Sequence, residues 1–166
     1  MLNIALINPK IPQNTGNIAR LAAGINAKLI LVGELGFSLD DKYLKRAGLD
    51  YWDYVDLEYL DSLDLFEQKY LPEDYYYALI TKFGNKRYDN IFSEVKRCNK
   101  MPMFVFGNET EGLPSLFHKK FENQKFYIPM NSLHIRSLNL SNSAALVVYD
   151  YLRQDDFRDI DAKQSY

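Results

Sequence analysis

Short apolar runs alternate along the chain with segments in which apolar residues recur every three or four positions. The first run covers residues 2–8, is rich in isoleucine and leucine, and meets Pro9, which is typical of a buried strand. From Asn14 or Thr15 to about Ala27 the spacing becomes that of a helix. The apolar stripe of this predicted helix consists of Ile18, Leu21, Ala22 and Ile25.

The same alternation continues to the end of the chain. Further apolar runs predict strands at residues 28–32, 75–81, 103–106 and 126–128. Helical spacing and helix-starting residues predict a short helix from Asp40 to Gly48, a helix from about Pro114, and a last helix from Ser141 to Gln154. The pattern is weakly helical at 60–70. Residues 82–100 are interpreted as a loop followed by a short helix. The last helix is apolar nearly all round at residues 144–149, so we expect it to be deeply packed.

Strands that alternate with helices predict an α/β fold, in which helices flank a mainly parallel sheet. Because the sequence contains no internal repeat, low-complexity tract or linker, we expect one domain over residues 1–166. Its ordered core is expected at about residues 1–154, followed by an acidic tail at 155–166.

The composition indicates a soluble cytoplasmic protein without a structural metal. Hydrophobic residues make up 47% of the chain, which is enough to bury a core without disulfides. Cys98 is the single cysteine, and neither His118 nor His134 has metal-ligand spacing, so both histidines are predicted to lie on the surface. No apolar stretch approaches the ~20 residues that cross a bilayer, and we expect no membrane partner.

The overall charge leaves RNA binding open. The net charge is −2, which argues mildly against a general nucleic-acid binder. Locally, however, basic residues cluster: Lys42, Lys45 and Arg46; Lys82, Lys86 and Arg87; Lys96, Arg97 and Lys100; Lys119, Lys120 and Lys125. Each cluster is also explained by a solvated helix face.

Polar loops follow three of the predicted strands, at residues 8–17, 107–114 and 128–142. Ligands of open α/β sheets bind outside the carboxyl ends of the strands, so these loops are the candidate site. In the first loop, Asn14 or Thr15 can cap the helix, and Asn17 and Arg20 share one helix face. An arginine beside a helix N-terminus favours an anion site, although ordinary capping with a surface arginine explains the same residues.

The other two loops also allow two interpretations each. Gly107 lets a ligand or another chain segment approach the backbone, and Glu109 and Glu111 can accept hydrogen bonds; a tight turn that caps the next helix is the alternative. In the third loop Ser137, Asn139 and Ser141 alternate with leucines, as in a segment that lines a pocket, whereas Ser141 can also be simply the N-cap of the last helix. No dinucleotide-binding, P-loop or hydrolase motif occurs in the sequence.

In this order the three loops resemble the three motifs of the SPOUT RNA methyltransferases, and most closely those of the subgroup that acts on the tRNA wobble nucleotide. The resemblance extends from residue 1 to Gln154. The matching segments are residues 11–20, 46–51, 106–109 with 112–114, and 128–130 with 136–142.

The resemblance implies a homodimer and a C-terminal deep trefoil knot, formed where the segment after Ile128 threads behind the sheet. It further implies that S-adenosylmethionine binds in the knot, held largely by main-chain groups. By position, the cofactor-binding residues are Leu79, Gly107, Ile128, and Ser137 or Leu138.

The implied reaction is transfer of a methyl group from S-adenosylmethionine to the ribose 2′-hydroxyl of wobble nucleotide C34 or U34, with tRNA-Leu isoacceptors as expected substrates. The family's motif positions place Arg20 at the centre of catalysis, together with Asn14, Glu109, Ser137 and Asn139. An arginine side chain is a poor base because it stays protonated in proteins, so we expect Arg20 to bind phosphate and to stabilise negative charge.

The resemblance implies the anticodon stem-loop as the RNA partner. Because we expect no appended RNA-binding domain, the catalytic dimer itself is expected to bind this RNA. Candidate phosphate contacts are Lys42, Arg46, Lys82 and Arg87. Two departures from the family pattern bear on specificity: Glu111 stands where relatives often carry arginine, and His134-Ile135 replaces an acidic-then-small pair. The alternatives are a knotted methyltransferase for another RNA position and a non-catalytic RNA-binding factor of the same fold.

Overall fold

Strands and helices alternate along the chain in the computed structural model, which describes residues 2–39, 51–131, 133–158 and 160. Within these residues the strands are β1 (Asn3–Ile7), β2 (Lys28–Val32), β3 (Asp56–Leu60), β4 (Tyr75–Ile80), β5 (Lys86–Arg87), β6 (Met101–Phe106) and β7 (Lys125–Tyr127). The α-helices are α1 (Pro12–Gly24), α2 (Leu63–Lys69), α3 (Ile91–Cys98), α4 (Ser115–Lys120) and α5 (Leu140–Gln154).

The strands form one sheet in the order β3-β2-β1-β6-β4-β7-β5, and every neighbouring pair is parallel. This confirms the predicted α/β fold with a parallel sheet flanked by helices. Because all the strands run in one direction, the loops that follow β1, β4, β6 and β7 leave the sheet at the same edge.

Successive side chains of β1 point to opposite faces of the sheet, and each face has its own core. Ile4 and Leu6 belong to the core that packs under α1, α3 and α5, and Ala5 and Ile7 to the core under α2 and α4. All five residues of β1 are buried, which explains why its sequence is apolar from Ile4 to Ile7.

The first helix begins earlier than predicted. Pro12 occupies its first turn, where the missing N–H costs nothing, and Ile11 is the N-cap residue without a side-chain cap. Asn14 and Thr15 therefore lie inside the helix, and the prediction that one of them caps it is wrong. The helix ends at Gly24 rather than near Ala27 because Asn26 takes a left-handed conformation, with φ 52°.

The middle of the chain holds two strands that the sequence pattern did not predict, β3 and β5. The predicted helix at 60–70 is shorter, since it begins at Leu63 after Ser62, whose hydroxyl accepts a hydrogen bond from the backbone N of Leu65 at 3.3 Å. The short helix predicted from Asp40 to Gly48 lies outside the described residues.

The last helix differs from its prediction in two ways. Asn139, not Ser141, is its N-cap residue. One of its faces is exposed, because Leu146 is 37% and Tyr149 49% accessible. The expectation that it is packed nearly all round is therefore wrong: only the stripe through Val147 and Val148 is buried.

Candidate active site

The three polar loops meet at one cavity at the carboxyl edge of the sheet. Its volume is about 630 Å³, within the usual size of small-molecule sites. The first loop contributes Ile11 and Asn14, the second contributes residues 107–113, and the third contributes Ile128, Met130 and residues 136–140. The turn at 80–83 and His118 of α4 complete the wall together with Phe106 and Ser143.

Glu109 ties the second loop to the first. One carboxylate oxygen accepts a hydrogen bond from the backbone N of Lys10 at 3.0 Å, and the other accepts from the backbone N of Ile11 at 3.2 Å and from Nδ2 of Asn14 at 2.9 Å. The N-terminus of α1, for which an anion site was one of the two interpretations of the sequence, is occupied by the protein's own carboxylate.

Asn14 and Asn139 tie the first loop to the third. Nδ2 of Asn139 donates to Oδ1 of Asn14 at 2.9 Å, while Oδ1 of Asn139 accepts from the backbone N of Ser141 at 2.9 Å and of Asn142 at 3.3 Å. Asn139 therefore caps α5 and holds it against α1 at the same time. Glu109, Asn14 and Asn139 form a continuous chain of hydrogen bonds along one side of the cavity.

The second loop folds back on Gly107. A Cβ atom at this position would lie 2.0 Å from the carbonyl carbon of Gly112, so only glycine fits. Oδ1 of Asn108 fixes the turn by accepting from the backbone N of Thr110 at 3.0 Å and of Glu111 at 2.7 Å. The close approach predicted for Gly107 is made by the protein's own chain.

The remaining predicted cofactor residues divide into two groups. Ile128, Ser137 and Leu138 line the cavity. Leu79 does not: its side chain is fully buried in the core on the α2 side of the sheet, and the next residue, Ile80, lines the cavity instead.

Sequence reasoning missed His118 and Phe83. His118 was predicted to lie on the surface, but it is half-buried and lines the cavity. Burial, together with nearby Lys125, lowers the pKa of His118 below its ordinary value. Its Nδ1 atom is buried and has no hydrogen-bond partner among the described residues. Phe83 follows the carboxyl end of β4, so the rule that selected the other three loops would have found it.

Arg20 lies outside the cavity lining of its own chain. Arg20 follows Asn14 by six residues, which corresponds to about 240° around a helix. Its side chain therefore projects from a different face of α1 than that of Asn14. The guanidinium carbon lies 5.5 Å from the centre of the Tyr51 ring, and the Tyr51 hydroxyl donates to the carbonyl of Gly16 at 2.8 Å. Burial raises the pKa of Tyr51, an effect that the charge of Arg20 opposes.

The basic residues predicted to contact RNA are placed differently from one another. Lys82 lines the cavity, and its Nζ lies 5.1 Å from the centre of the Phe83 ring. Arg87 makes a two-pronged contact with the Asp89 carboxylate, at 2.8 and 2.6 Å. Lys42 and Arg46 lie outside the described residues. Contact with RNA stays a prediction for all four.

Known proteins resemble this chain along nearly all of its length. The profile of the SpoU rRNA methylase family matches residues 1–149. A Listeria monocytogenes protein assigned as a tRNA (cytidine(34)-2′-O)-methyltransferase is 53% identical over 155 residues, covering 93% of this chain and 89% of the relative.

Solved structures agree in fold. One, from work on the 2-OH methylation of C/U34 on tRNA, has a TM-score of 0.83 at 37% identity, and the match covers 95% of this chain and 98% of the other. The SpoU methyltransferase AviRb from Streptomyces viridochromogenes, in complex with the cofactor AdoMet, shares the fold at a TM-score of 0.77 and 22% identity, over 95% of this chain and 61% of the other. The profile match and the Listeria relative, together with this shared fold, make the chain a member of the SpoU rRNA methylase family.

Proposed function

We propose that the protein transfers a methyl group from S-adenosylmethionine to the ribose 2′-hydroxyl of the tRNA wobble nucleotide, C34 or U34, with tRNA-Leu isoacceptors as substrates. The observation that carries this proposal is the convergence of the three loop motifs on one cavity, joined by the hydrogen bonds of Glu109, Asn14 and Asn139. The name of the Listeria relative supports the choice of nucleotide.

The cavity fits a nucleoside cofactor. Its walls include apolar residues suited to a flat purine: Ile80, Phe106, Leu113, Ile128 and Leu138. The space that a side chain at Gly107 would need is filled by the backbone of Gly112. Gly107 can therefore offer a ligand only its main-chain groups, as the resemblance implied for this position. When bound, S-adenosylmethionine supplies a methyl group on a positively charged sulfur, which makes that methyl electrophilic.

The residues of the hydrogen-bonded chain act by positioning. Both carboxylate oxygens of Glu109 already accept hydrogen bonds from the first loop, so Glu109 holds Asn14 in place and does not remove the proton of the 2′-hydroxyl. Ser137 is exposed at the cavity and keeps a hydroxyl for the ribose. Fixing the reacting oxygen in line with the methyl group supplies much of the catalytic effect in such transfers.

Arg20 does not line the cavity of its own chain, so its proposed role at a cavity calls for a second chain, which supports a homodimer. Apolar side chains next to the first and last helices are exposed in the single chain: Ile11 at 41%, Leu146 at 37% and Tyr149 at 49%. Pairing through these helices covers the apolar surface and brings Arg20 of one protomer toward the cavity of the other. There its guanidinium binds phosphate and stabilises the negative charge that develops on the ribose oxygen.

The sheet order supports the deep trefoil knot. β7 lies between β4 and β5, although the short turn at 81–85 connects these two strands in sequence. This turn is pressed against β7, because a Cβ on Gly84 would lie 2.4 Å from the carbonyl carbon of Phe126. In the proposed knot, the chain after Ile128 threads behind the sheet past this turn before it supplies the third loop.

The cytoplasm is the proposed compartment, where tRNA is available. No helix among the described residues is long and apolar enough to cross a membrane. The free thiol of Cys98 is exposed, which suits a reducing compartment.

Methyl transfer to matched RNAs tests the proposed function. Purified protein is incubated with methyl-labelled S-adenosylmethionine and either tRNA-Leu or the same tRNA with a 2′-deoxynucleotide at position 34. Label is expected only in the first RNA. Equal labelling of both RNAs overturns the wobble 2′-hydroxyl as the acceptor, and a protein that binds no S-adenosylmethionine in calorimetry is not the proposed enzyme.

A further inference from the structure

Phe83 lies on a turn that is firmly held at the rim of the cavity. The backbone N of Thr81 donates to the carbonyl of Phe126 at 2.9 Å, and that of Asn85 donates to the carbonyl of Lys125 at 3.3 Å. Within the turn, the backbone N of Phe83 donates to the Thr81 hydroxyl at 3.3 Å. Because Gly84 leaves no space between the turn and β7, the backbone under Phe83 is fixed.

The ring of Phe83 nevertheless faces solvent. It is 63% exposed, although His118 contacts it edge-on with ring centres 5.6 Å apart. Isolated apolar residues on a surface are common, but this ring lines a cavity and has the ammonium of Lys82 beside it. A rigid exposed ring next to a cation is an arrangement that binds nucleic acid.

The charges around the ring favour RNA over a peptide as its partner. Lys82 forms no ion pair within the described parts of the chain, and its long exposed side chain can leave the ring to reach a phosphate. Burial, together with the charge of Lys125, lowers the pKa of His118, which favours the neutral imidazole beside the ring. An unpaired base can stack on the ring of Phe83 while a phosphate beside that base contacts the ammonium of Lys82.

We propose that Phe83 is a substrate-binding residue: its ring stacks on an unpaired base of the RNA loop that presents the target ribose, while Lys82 contacts a phosphate of the same loop. This inference rests on the proposed function, because it takes RNA as the molecule that approaches the cavity. It adds a contact outside the three motifs, on the turn between β4 and β5.

Binding of an anticodon stem-loop RNA, measured by fluorescence anisotropy, tests the proposal separately from catalysis. Phe83→Leu keeps an apolar side chain but removes the stacking ring, and it is expected to weaken RNA binding by about ten-fold or more. Phe83→Tyr keeps the ring and should bind RNA as the wild type does. Both variants should bind S-adenosylmethionine within about two-fold of wild type, because the ring is assigned to the RNA.

Lys82→Gln supplies an independent readout. It should lower the slope of log affinity against log salt by roughly 0.7, as expected for loss of one contact to a single-stranded phosphate. Tyr54→Leu is the matched control, since Tyr54 is 78% exposed but does not line the cavity, and its RNA affinity should stay unchanged.

Three results overturn the proposal: unchanged RNA binding by Phe83→Leu, an equal loss in Tyr54→Leu, or a loss of cofactor binding in Phe83→Leu, which would assign the ring to the cofactor. The proposed function fails in a different way. A wild-type protein that binds the RNA through Phe83 but methylates no nucleotide of it overturns the reaction and leaves the stacking contact standing.

Discussion

Asn139 donates a hydrogen bond of 2.9 Å from Nδ2 to Oδ1 of Asn14, a residue 125 positions earlier in the chain. The side-chain amide of Asn14 cannot flip, because its Nδ2 donates to Glu109 at 2.9 Å. Its Oδ1 therefore faces Asn139 and can only accept. The direction of hydrogen bonding is therefore fixed from the second loop through the first to the third. This relationship places the start of α5 beside the start of α1 and makes the side of the cavity rigid.

Asn139→Asp should separate positioning from helix capping. The aspartate keeps an oxygen for the backbone N–H groups of Ser141 and Asn142, but it removes the donor to Asn14. We expect a loss of about 1–3 kcal/mol of unfolding free energy, because the buried Oδ1 of Asn14 loses its donor. Methyl transfer should fall by about 10- to 100-fold, because the cavity wall is misplaced. Asn139→Ala removes the cap as well and should cost about 1 kcal/mol of unfolding free energy in addition. Full activity of the aspartate variant would contradict the positioning role.

Glu109→Gln tests the tie between the first and second loops. In the wild type, both carboxylate oxygens of Glu109 accept hydrogen bonds from donors of the first loop. Glutamine replaces one of these oxygens with an NH₂ group, so at least one donor loses its acceptor. Urea denaturation should show a loss of about 1–3 kcal/mol. Glu111→Gln is the control, because Glu111 is exposed and the hydrogen bond that its side chain accepts from Asn108 is 3.5 Å long. Equal effects of the two substitutions would refute a special role for Glu109.

Arg20→Lys should lower the rate of methyl transfer by about 10²- to 10³-fold, as expected when a preorganised charge contact in the transition state is lost. Arg20 is assigned to phosphate and to the charge that develops on the ribose oxygen, and lysine keeps a positive charge at this exposed position. The affinity for S-adenosylmethionine and the melting temperature should therefore stay near those of wild type. Arg97→Lys, at an exposed arginine of α3, provides the control for charge-conserving substitution. A lysine variant with near-wild-type turnover would show that the planar guanidinium is not needed.

Gly84→Ala should destabilise the protein by at least about 2 kcal/mol, because the added Cβ meets backbone atoms of β7 that cannot move aside. Gly24→Ala is matched to it: nothing lies within 4 Å of a Cβ at the end of α1. There the alanine should be neutral or should add up to about 1 kcal/mol through its better helix propensity. Denaturant titration gives the unfolding free energies of both variants. A Gly84→Ala variant as stable as the wild type would contradict the close packing of the turn against β7.

Local sequence pattern predicted the parts of the fold whose residues are uniformly buried. β1 and β2 are apolar after their first residues, Asn3 and Lys28; the pattern predicted the bounds of β2 and came within one residue of those of β1. β3 was missed because it lies at the edge of the sheet, where Asp56 and Glu58 pair with Lys28 and interrupt the apolar run. β5 was missed because two residues are too few to show a period.

The candidate site was predicted as a set of loops, but its internal contacts were not. The strand-end rule brought the loops together correctly, since all the strands are parallel. Glu109 accepts from a backbone 99 positions away, and no local pattern reports such a partner. Asn139 was overlooked as the cap of α5 in favour of Ser141 because both residue types suit that position and the local pattern does not choose between them.

The central claim is methyl transfer to the ribose of nucleotide 34, and mass spectrometry of nuclease fragments tests it most directly. Purified protein is incubated with tRNA-Leu and S-adenosylmethionine that carries a deuterated methyl group, and the labelled nucleotide is located by fragmentation. We predict a single labelled methyl on the ribose of C34 or U34. Label on a base, label at another nucleotide, or no label in any tRNA would contradict the account.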